Sequence, residues 1–204
     1  MKRIITTVST IITTVSTIIA LSLPGFAAAS SWTIDQDHSN VGFKVKHLMV
    51  SNVKGEFRSF NGTLEINDKD VTKSKVVVNI DTPSITTGVT KRDDHLKSPD
   101  FFDVAKFPAM TFVSKRVQKA GTDKLKVYGD LTLHGVTREV ALDVEGPTKA
   151  YKDPWGNVKR GASATTRINR KDFGLSWNKA IESGGVMVGD EVTISLEVEL
   201  LQKK

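Results

Sequence analysis

The sequence predicts an all-β fold: a single antiparallel meander β-barrel of about eight or nine strands, with one short helix near residues 90–98. After residue 30 apolar side chains recur with a period of two, the pattern of strands with one buried and one wet face. The segments alternate instead of forming unbroken apolar runs, which marks the strands as antiparallel. Short turn-forming stretches separate neighbouring segments, so consecutive strands pair as a meander, and closure removes the edges that so many strands would otherwise expose.

Residues 1–29 stand apart from this pattern. Lys2 and Arg3 precede an uncharged run over residues 4–23, Pro24 and Gly25 break it, and Ala27, Ala28 and Ala29 supply small residues for cleavage. This is the layout of a secretory signal peptide cut after Ala29. A retained membrane anchor is the alternative, because 20 uncharged residues can span a bilayer, but nine of those 20 are Ser or Thr. The heptapeptide ITTVSTI occurs at residues 5–11 and again at 12–18; two copies are too few for a coiled coil or a solenoid. In a bacterium such a leader directs the chain to the periplasm or beyond. No linker or low-complexity tract follows residue 30, so residues 30–204 are expected to form one domain.

The first strand falls at residues 31–35. The second places Val41, Phe43 and Val45 inward, with Lys44 and Lys46 outward. Residues 53–66 read as one long curved strand. Its apolar phase slips between Phe57 and Phe60, and a bulge at Arg58 and Ser59 is expected to absorb the slip. Further strands are expected near residues 74–82, 108–117, 124–133, 139–145, 157–170 and 191–200, with turns at Asn67-Asp68, residues 120–123, His134-Gly135 and residues 153–156. Residues 90–98 do not alternate. Thr90 followed by Asp93 resembles an N-cap with an acid at the third helical position, and Pro99 stops the helix. The alternation predicts Val41, Phe43, Val45, Phe57, Leu131, Leu133, Val140, Leu142, Ile194 and Leu196 inside, and Lys44, Lys124, Lys126, Glu191, Glu197 and Glu199 in water.

Composition narrows the chemistry. The 204 residues contain no cysteine, which removes disulfides, thiolate metal sites and thiol nucleophiles. Loss of Lys2 and Arg3 with the leader leaves 27 basic residues against 23 acidic, a mild excess that favours anionic partners in general and nucleic acid only weakly. Asp37, His38 and Ser39 are the triad residue types, but consecutive strand residues point to opposite faces. Asp172-Phe173-Gly174 matches a kinase motif by letters alone. His38, His47, His95 and His134 lack metal-ligand spacing. The outward lysines carry no interleaved aromatics, so no nucleic-acid platform is expected. Neither a catalytic residue, a metal site nor a cofactor is expected.

The interior remains. A barrel of about eight strands is either filled by its side chains or holds one small ligand. The inward phase combines aliphatic residues with Phe43, Phe57, Phe60 and Phe112, and with Gly55, Gly62, Gly129, Ala162 and Ala164. The small residues read equally as lumen space or as tight packing. An apolar lumen suits an acyl or prenyl chain, and His47 shares the inward phase.

Residues 37–48 (DHSNVGFKVKHL), 86–108 (TTGVTKRDDHLKSPDFFDVAKFP), 129–136 (GDLTLHGV) and 169–174 (NRKDFG) closely resemble the YceI-like family of secreted or periplasmic bacterial proteins. The resemblance implies a lipocalin-like barrel and, as in some members, a polyisoprenoid or other lipid-like amphiphile in the lumen, carried or sequestered without catalysis. It carries over no catalytic residue. An enzyme acting on such an amphiphile, or a stress-related protein with a packed barrel, are the alternatives. The lumen contacts expected are Val41, Phe43, Val45, His47, Phe57, Phe60 and Phe112. If the short helix lies at an open barrel end, Lys91, Arg92 and His95 would meet a phosphate or carboxylate head group there; the alternative is that Lys91 and Arg92 pair with Asp93, Asp94 or Asp103 and only decorate an exposed helix. The expected partner is a long-chain isoprenoid or lipid-like ligand, with a second copy of the chain as a further candidate partner. Neither nucleic acid nor a stable membrane span after leader removal is expected.

Overall fold

The computed structural model describes residues 29–180 and 185–203; apart from Ala29, the expected leader lies outside the described residues. Eleven strands are present: β1 Ser30–His47, β2 Ser51–Phe57, β3 Phe60–Ile66, β4 Lys75–Asp81, β5 Ile85–Thr86, β6 Ala109–Gly121, β7 Lys124–Leu133, β8 Val136–Glu145, β9 Tyr151–Lys152, β10 Val158–Asn169 and β11 Val188–Gln202. Among the described residues there is one α-helix, α1 Thr90–Lys97, between β5 and β6. Eight of the strands close into an antiparallel barrel in the order β1-β3-β4-β6-β7-β8-β10-β11, with β11 returning to β1. The short strands β5 and β9 pair with β2 and β10 outside that circuit. The fold is therefore the all-β meander barrel with one short helix that the alternation predicts. Among the described residues no helix is long and apolar enough to cross a membrane.

Alternation is cleanest in β7, where Leu125, Val127, Leu131 and Leu133 are buried and their neighbours are not. His134 and Gly135 join β7 to β8 with positive φ angles of 51° and 74°, as a two-residue hairpin turn requires. All ten residues of β8 pair with β7. On its other side β8 pairs with β10 only through Glu145, Val144 and Asp143, so this seam is the weakest join in the wall.

Three expectations change. The two predicted N-terminal strands are one, β1, interrupted by a bulge: Asp35 pairs with Glu199 and Asn40 with Glu197, so residues 36–39 oppose Val198 alone. The bulge reverses parity, turning Trp32 and Ile34 inward before it and Val41, Phe43 and Val45 inward after it. Asp37, His38 and Ser39 sit in this bulge. The expected long strand over residues 53–66 is split into β2 and β3, both antiparallel to β1. The split falls at Arg58 and Ser59, whose backbone bonds go elsewhere: Arg58 N donates to Ser84 O at 3.3 Å, and Ser59 O accepts from Asp81 N at 2.9 Å. Finally, Val89 and not Thr90 occupies the N-cap position of α1, without a side-chain cap. Asp93 reaches back to the preceding turn instead, where Thr87 N and Thr86 Oγ1 donate to it at 2.8 and 2.9 Å. Of the residues expected in water, Lys126 and Glu199 are half-buried because each is drawn into ion pairs on the barrel exterior.

The strand directions define two ends. At one lie the end of β1, the β7–β8 turn and the start of β11; α1 and residues 98–107 and 170–177 connect strands there. At the opposite end lie the start of β1 and the β3–β4 and β6–β7 connections. The main core lies inside the barrel, and a smaller cluster of Trp32, Ile66 and Leu200 sits at the end opposite α1.

Candidate ligand-binding site

The inward faces of the eight barrel strands and of β2 surround a cavity of about 280 Å³ whose wall exposes no polar atom. This lies just below the roughly 300–1,000 Å³ typical of small-molecule sites. The apolar side chains that the alternation predicts inside, from Val41 through Leu196, all line it. Val41, Phe43, Val45, Phe57, Phe60 and Phe112 are on the wall. His47 is half-buried and is not among the lining residues. The register between β1 and β11 shifts between Val45 and His47, so the inward phase that carried the expectation ends one pair too early.

The small inward residues divide. A Cβ at Gly55 would lie 2.3 Å from Phe43 Cζ, and one at Gly129 would lie 2.5 Å from Phe112 Cζ. These glycines are sockets filled by aromatic rings and add no free lumen. Ala162 and Ala164, in contrast, line the cavity. The residues that close the α1 end, Leu96, Phe101, Phe102 and Leu175, escape a period-two reading because they sit on the helix and on loops.

Arg170 holds that end together. Its side chain is 4 % exposed, and the guanidinium donates to Gly189 O and Trp177 O, both at 2.9 Å, to Val188 O at 3.3 Å and to Leu175 O, with Asp190 Oδ1 at 3.4 Å. Burial pulls its pKa down and Asp190 opposes the shift. Every donor group has a carbonyl or carboxylate, so the buried charge is compensated.

The helix residues considered for a head group do not converge on the cavity. Lys91 is exposed. Arg92 is spent on Thr87, with Nε donating to Oγ1 at 2.7 Å and Nη2 to the carbonyl at 3.2 Å. His95 Nε2 lies 2.9 Å from Asp100 Oδ2, and its ring meets Phe101 and Trp177 edge-on at 5.0 and 4.8 Å.

In the β1 bulge His38 Nδ1 lies 3.0 Å from Asp35 Oδ2, whereas Ser39 Oγ bonds the backbone of Glu199. Asp35, His38 and Glu199 bring potential metal-ligating atoms within 4.8 Å of one another. Lys159 Nζ already stands among them, 2.5 Å from Glu199 Oε1 and 3.5 Å from Asp35 Oδ2. Burial alone would raise the Asp35 pKa, but the hydrogen bond and charge of His38 and the charge of Lys159 outweigh it and lower the value. The Lys159 ammonium offsets part of the charge of these carboxylates, and the cluster pins the bulge to β10 and β11.

The sequence model of the YceI-like domain matches residues 32–200. UPF0312 proteins of Staphylococcus aureus are 41 % identical over 172 residues, covering 83 % of this chain and 96 % of theirs. The crystal structure of the Campylobacter jejuni YceI protein is 34 % identical, with a TM-score of 0.67 over 83 % of this chain and 96 % of that one. A polyisoprenoid binding domain from Saccharophagus degradans, implicated in plant cell wall breakdown, shares the fold at 16 % identity, with a TM-score of 0.62 over 85 % of this chain and 99 % of that domain. The closed meander barrel, its apolar axis and these matches together establish that the chain belongs to the YceI-like family.

Proposed function

We propose that the chain is an exported, periplasmic binding protein that carries or sequesters a polyisoprenoid or other lipid-like amphiphile in the barrel lumen, without covalent chemistry. The observation that carries this reading is the cavity: it runs inside a closed barrel and exposes only apolar atoms. Each methylene buried there contributes about 0.8 kcal/mol before ordering costs. The polyisoprenoid-binding domain of the same fold supports the ligand class, and the leader-like residues 1–29 support export. Val41, Phe43, Val45, Phe57, Phe60 and Phe112 are the proposed tail contacts. Titration calorimetry with farnesol tests the reading. Binding is expected with a negative heat-capacity change and weak salt dependence. Tight binding of a sugar, amino acid or nucleotide, with none of farnesol, would reject it. Release of a modified farnesol would favour the enzymatic alternative.

A further inference from the structure

We propose that the barrel end opposite α1 is a phosphate-selective mouth, built on Arg160 and occupied in the unliganded protein by the carboxylate of Asp68. The proposal rests on the lumen holding an isoprenoid or lipid tail, and it assigns where the head group of that ligand sits.

Arg160 follows the inward phase of β10, two residues before Ala162 and in step with Ala164, Thr166 and Ile168, all of which line the cavity. It pairs across the wall with Leu200. Its guanidinium carbon lies 4.9 Å from the centre of the Trp32 ring. Trp32 is 1 % exposed and packs with Ile66 and Leu200, and the latter two face the cavity. The guanidinium therefore stands one side-chain layer above the lumen, with its stem in the barrel and its head at the rim.

Its hydrogen bonding is incomplete. Nη2 lies 2.7 Å from Asp68 Oδ1, but Nε is buried and has no partner among the described residues. A buried donor left without an acceptor is unfavourable and uncommon. The contrast with Arg170, the inward arginine at the α1 end, is direct: that side chain is saturated by carbonyls and a carboxylate. One arginine is a finished structural clamp. The other presents a fork with an open tine, the geometry that takes two oxygens of a phosphate at once.

Asp68 is placed to act as a replaceable anion. It belongs to the β3–β4 connection, which is knitted on both sides of it: Asn67 Oδ1 accepts from Lys69 N and Asp70 N at 3.1 and 2.9 Å, and Asn67 N donates to Ser74 Oγ at 3.1 Å. The same connection packs Val71 onto the core. Asp68 itself is 58 % exposed, so its ion pair is solvent-screened and weak. Lys75, at the start of β4, and Arg170 are the charged residues on the cavity lining. Only Lys75 lies at this end, where it adds positive charge with no ion pair among the described residues. A phosphate on a tail in the lumen would displace the Asp68 carboxylate and also supply the acceptor that Nε lacks.

The test is titration with farnesyl phosphate, farnesol and inorganic phosphate. Four forms are compared: the parent chain, Arg160→Gln, Asp68→Asn, and the double variant Arg92→Ala/His95→Ala. The parent chain is expected to prefer farnesyl phosphate over farnesol. Arg160→Gln is expected to reduce that preference about tenfold, the loss of one charge-assisted interaction, with farnesol affinity unchanged. Asp68→Asn is expected to move it the opposite way, by about threefold, because it removes the internal competitor. The double variant is expected to leave it unchanged. An unchanged preference in both Arg160→Gln and Asp68→Asn would overturn the proposal, as would a loss confined to the α1 variant. Competition by inorganic phosphate at concentrations equal to farnesyl phosphate would overturn the tail-linked assignment in favour of a free-phosphate site. Failure of farnesol and farnesyl phosphate alike to bind the parent chain would overturn the lumen reading itself. Farnesol binding together with a farnesyl phosphate preference that depends on neither Arg160 nor Asp68 would overturn only the subsite.

Discussion

Asp93 shows how one side chain can be recognised as important from sequence and yet be assigned the wrong partner. Its position three residues after Thr90 suggests an N-terminal cap, but the carboxylate accepts from Thr86 Oγ1, Thr87 N and Thr87 Oγ1, with Arg92 alongside. A carboxylate can satisfy donors on either side in sequence, and the choice depends on how the chain enters the helix. Burial would raise the Asp93 pKa; the bonds from Thr87 and Thr86 and the charge of Arg92 outweigh it and hold it below the ordinary value. A carboxyl whose folded pKa lies below its unfolded pKa stabilises the fold above the unfolded value. That contribution disappears as pH falls through the folded value. Asp93→Asn is therefore expected to cost about 1–3 kcal/mol at pH 7. The difference from the parent chain should shrink when urea unfolding is repeated below the ordinary carboxylate range. A pH-independent difference would mean that shape, and not ionised hydrogen bonding, makes the residue matter.

At the scale of elements the seam between β8 and β10 stands out. Three residue pairs join these strands, whereas β10 and β11 share eleven. Backbone groups of β8 that face the seam over residues 136–142 lack the ladder that the β7 side supplies. In hydrogen exchange, these amides are expected to lose protection sooner than those of β7, since opening there breaks few contacts. Uniform protection across β8 would contradict this. The long strands were legible because one face meets an apolar interior and the other water, which writes a period of two into the sequence. The two-residue strands β5 and β9 are too short to show a period. The β1 bulge was in principle legible, because Trp32 and Ile34 share one parity and Val41, Phe43 and Val45 the other. The separation of β2 from β3 was only half legible: the phase slip marks the place, but the turn at residues 81–84 that takes the backbone bonds of Arg58 and Ser59 is contiguous only in space.

For the whole molecule the decisive property is that the barrel closes around space. Ala164, on β10 and buried against the cavity, offers a direct test. Ala164→Phe is expected to retain the β-sheet circular dichroism spectrum, to cost about 1–3 kcal/mol through overpacking, and to weaken farnesol binding at least ~10-fold because the ring takes up lumen volume. Unchanged affinity would place the ligand outside the lumen. The sequence by itself determined the class of fold, the antiparallel meander, the inward face of each long strand and the exclusion of thiol chemistry, because these follow from local periodicity and composition. Only the tertiary structure decided that Gly55 and Gly129 are sockets for Phe43 and Phe112 while Ala162 and Ala164 border free space. It also decided that His47 falls outside the lining, that Arg170 is saturated and that Arg160 is not. Those distinctions depend on which side chain fills the volume beside another across strands far apart in sequence, and pairwise packing of that kind leaves no periodic mark on the chain.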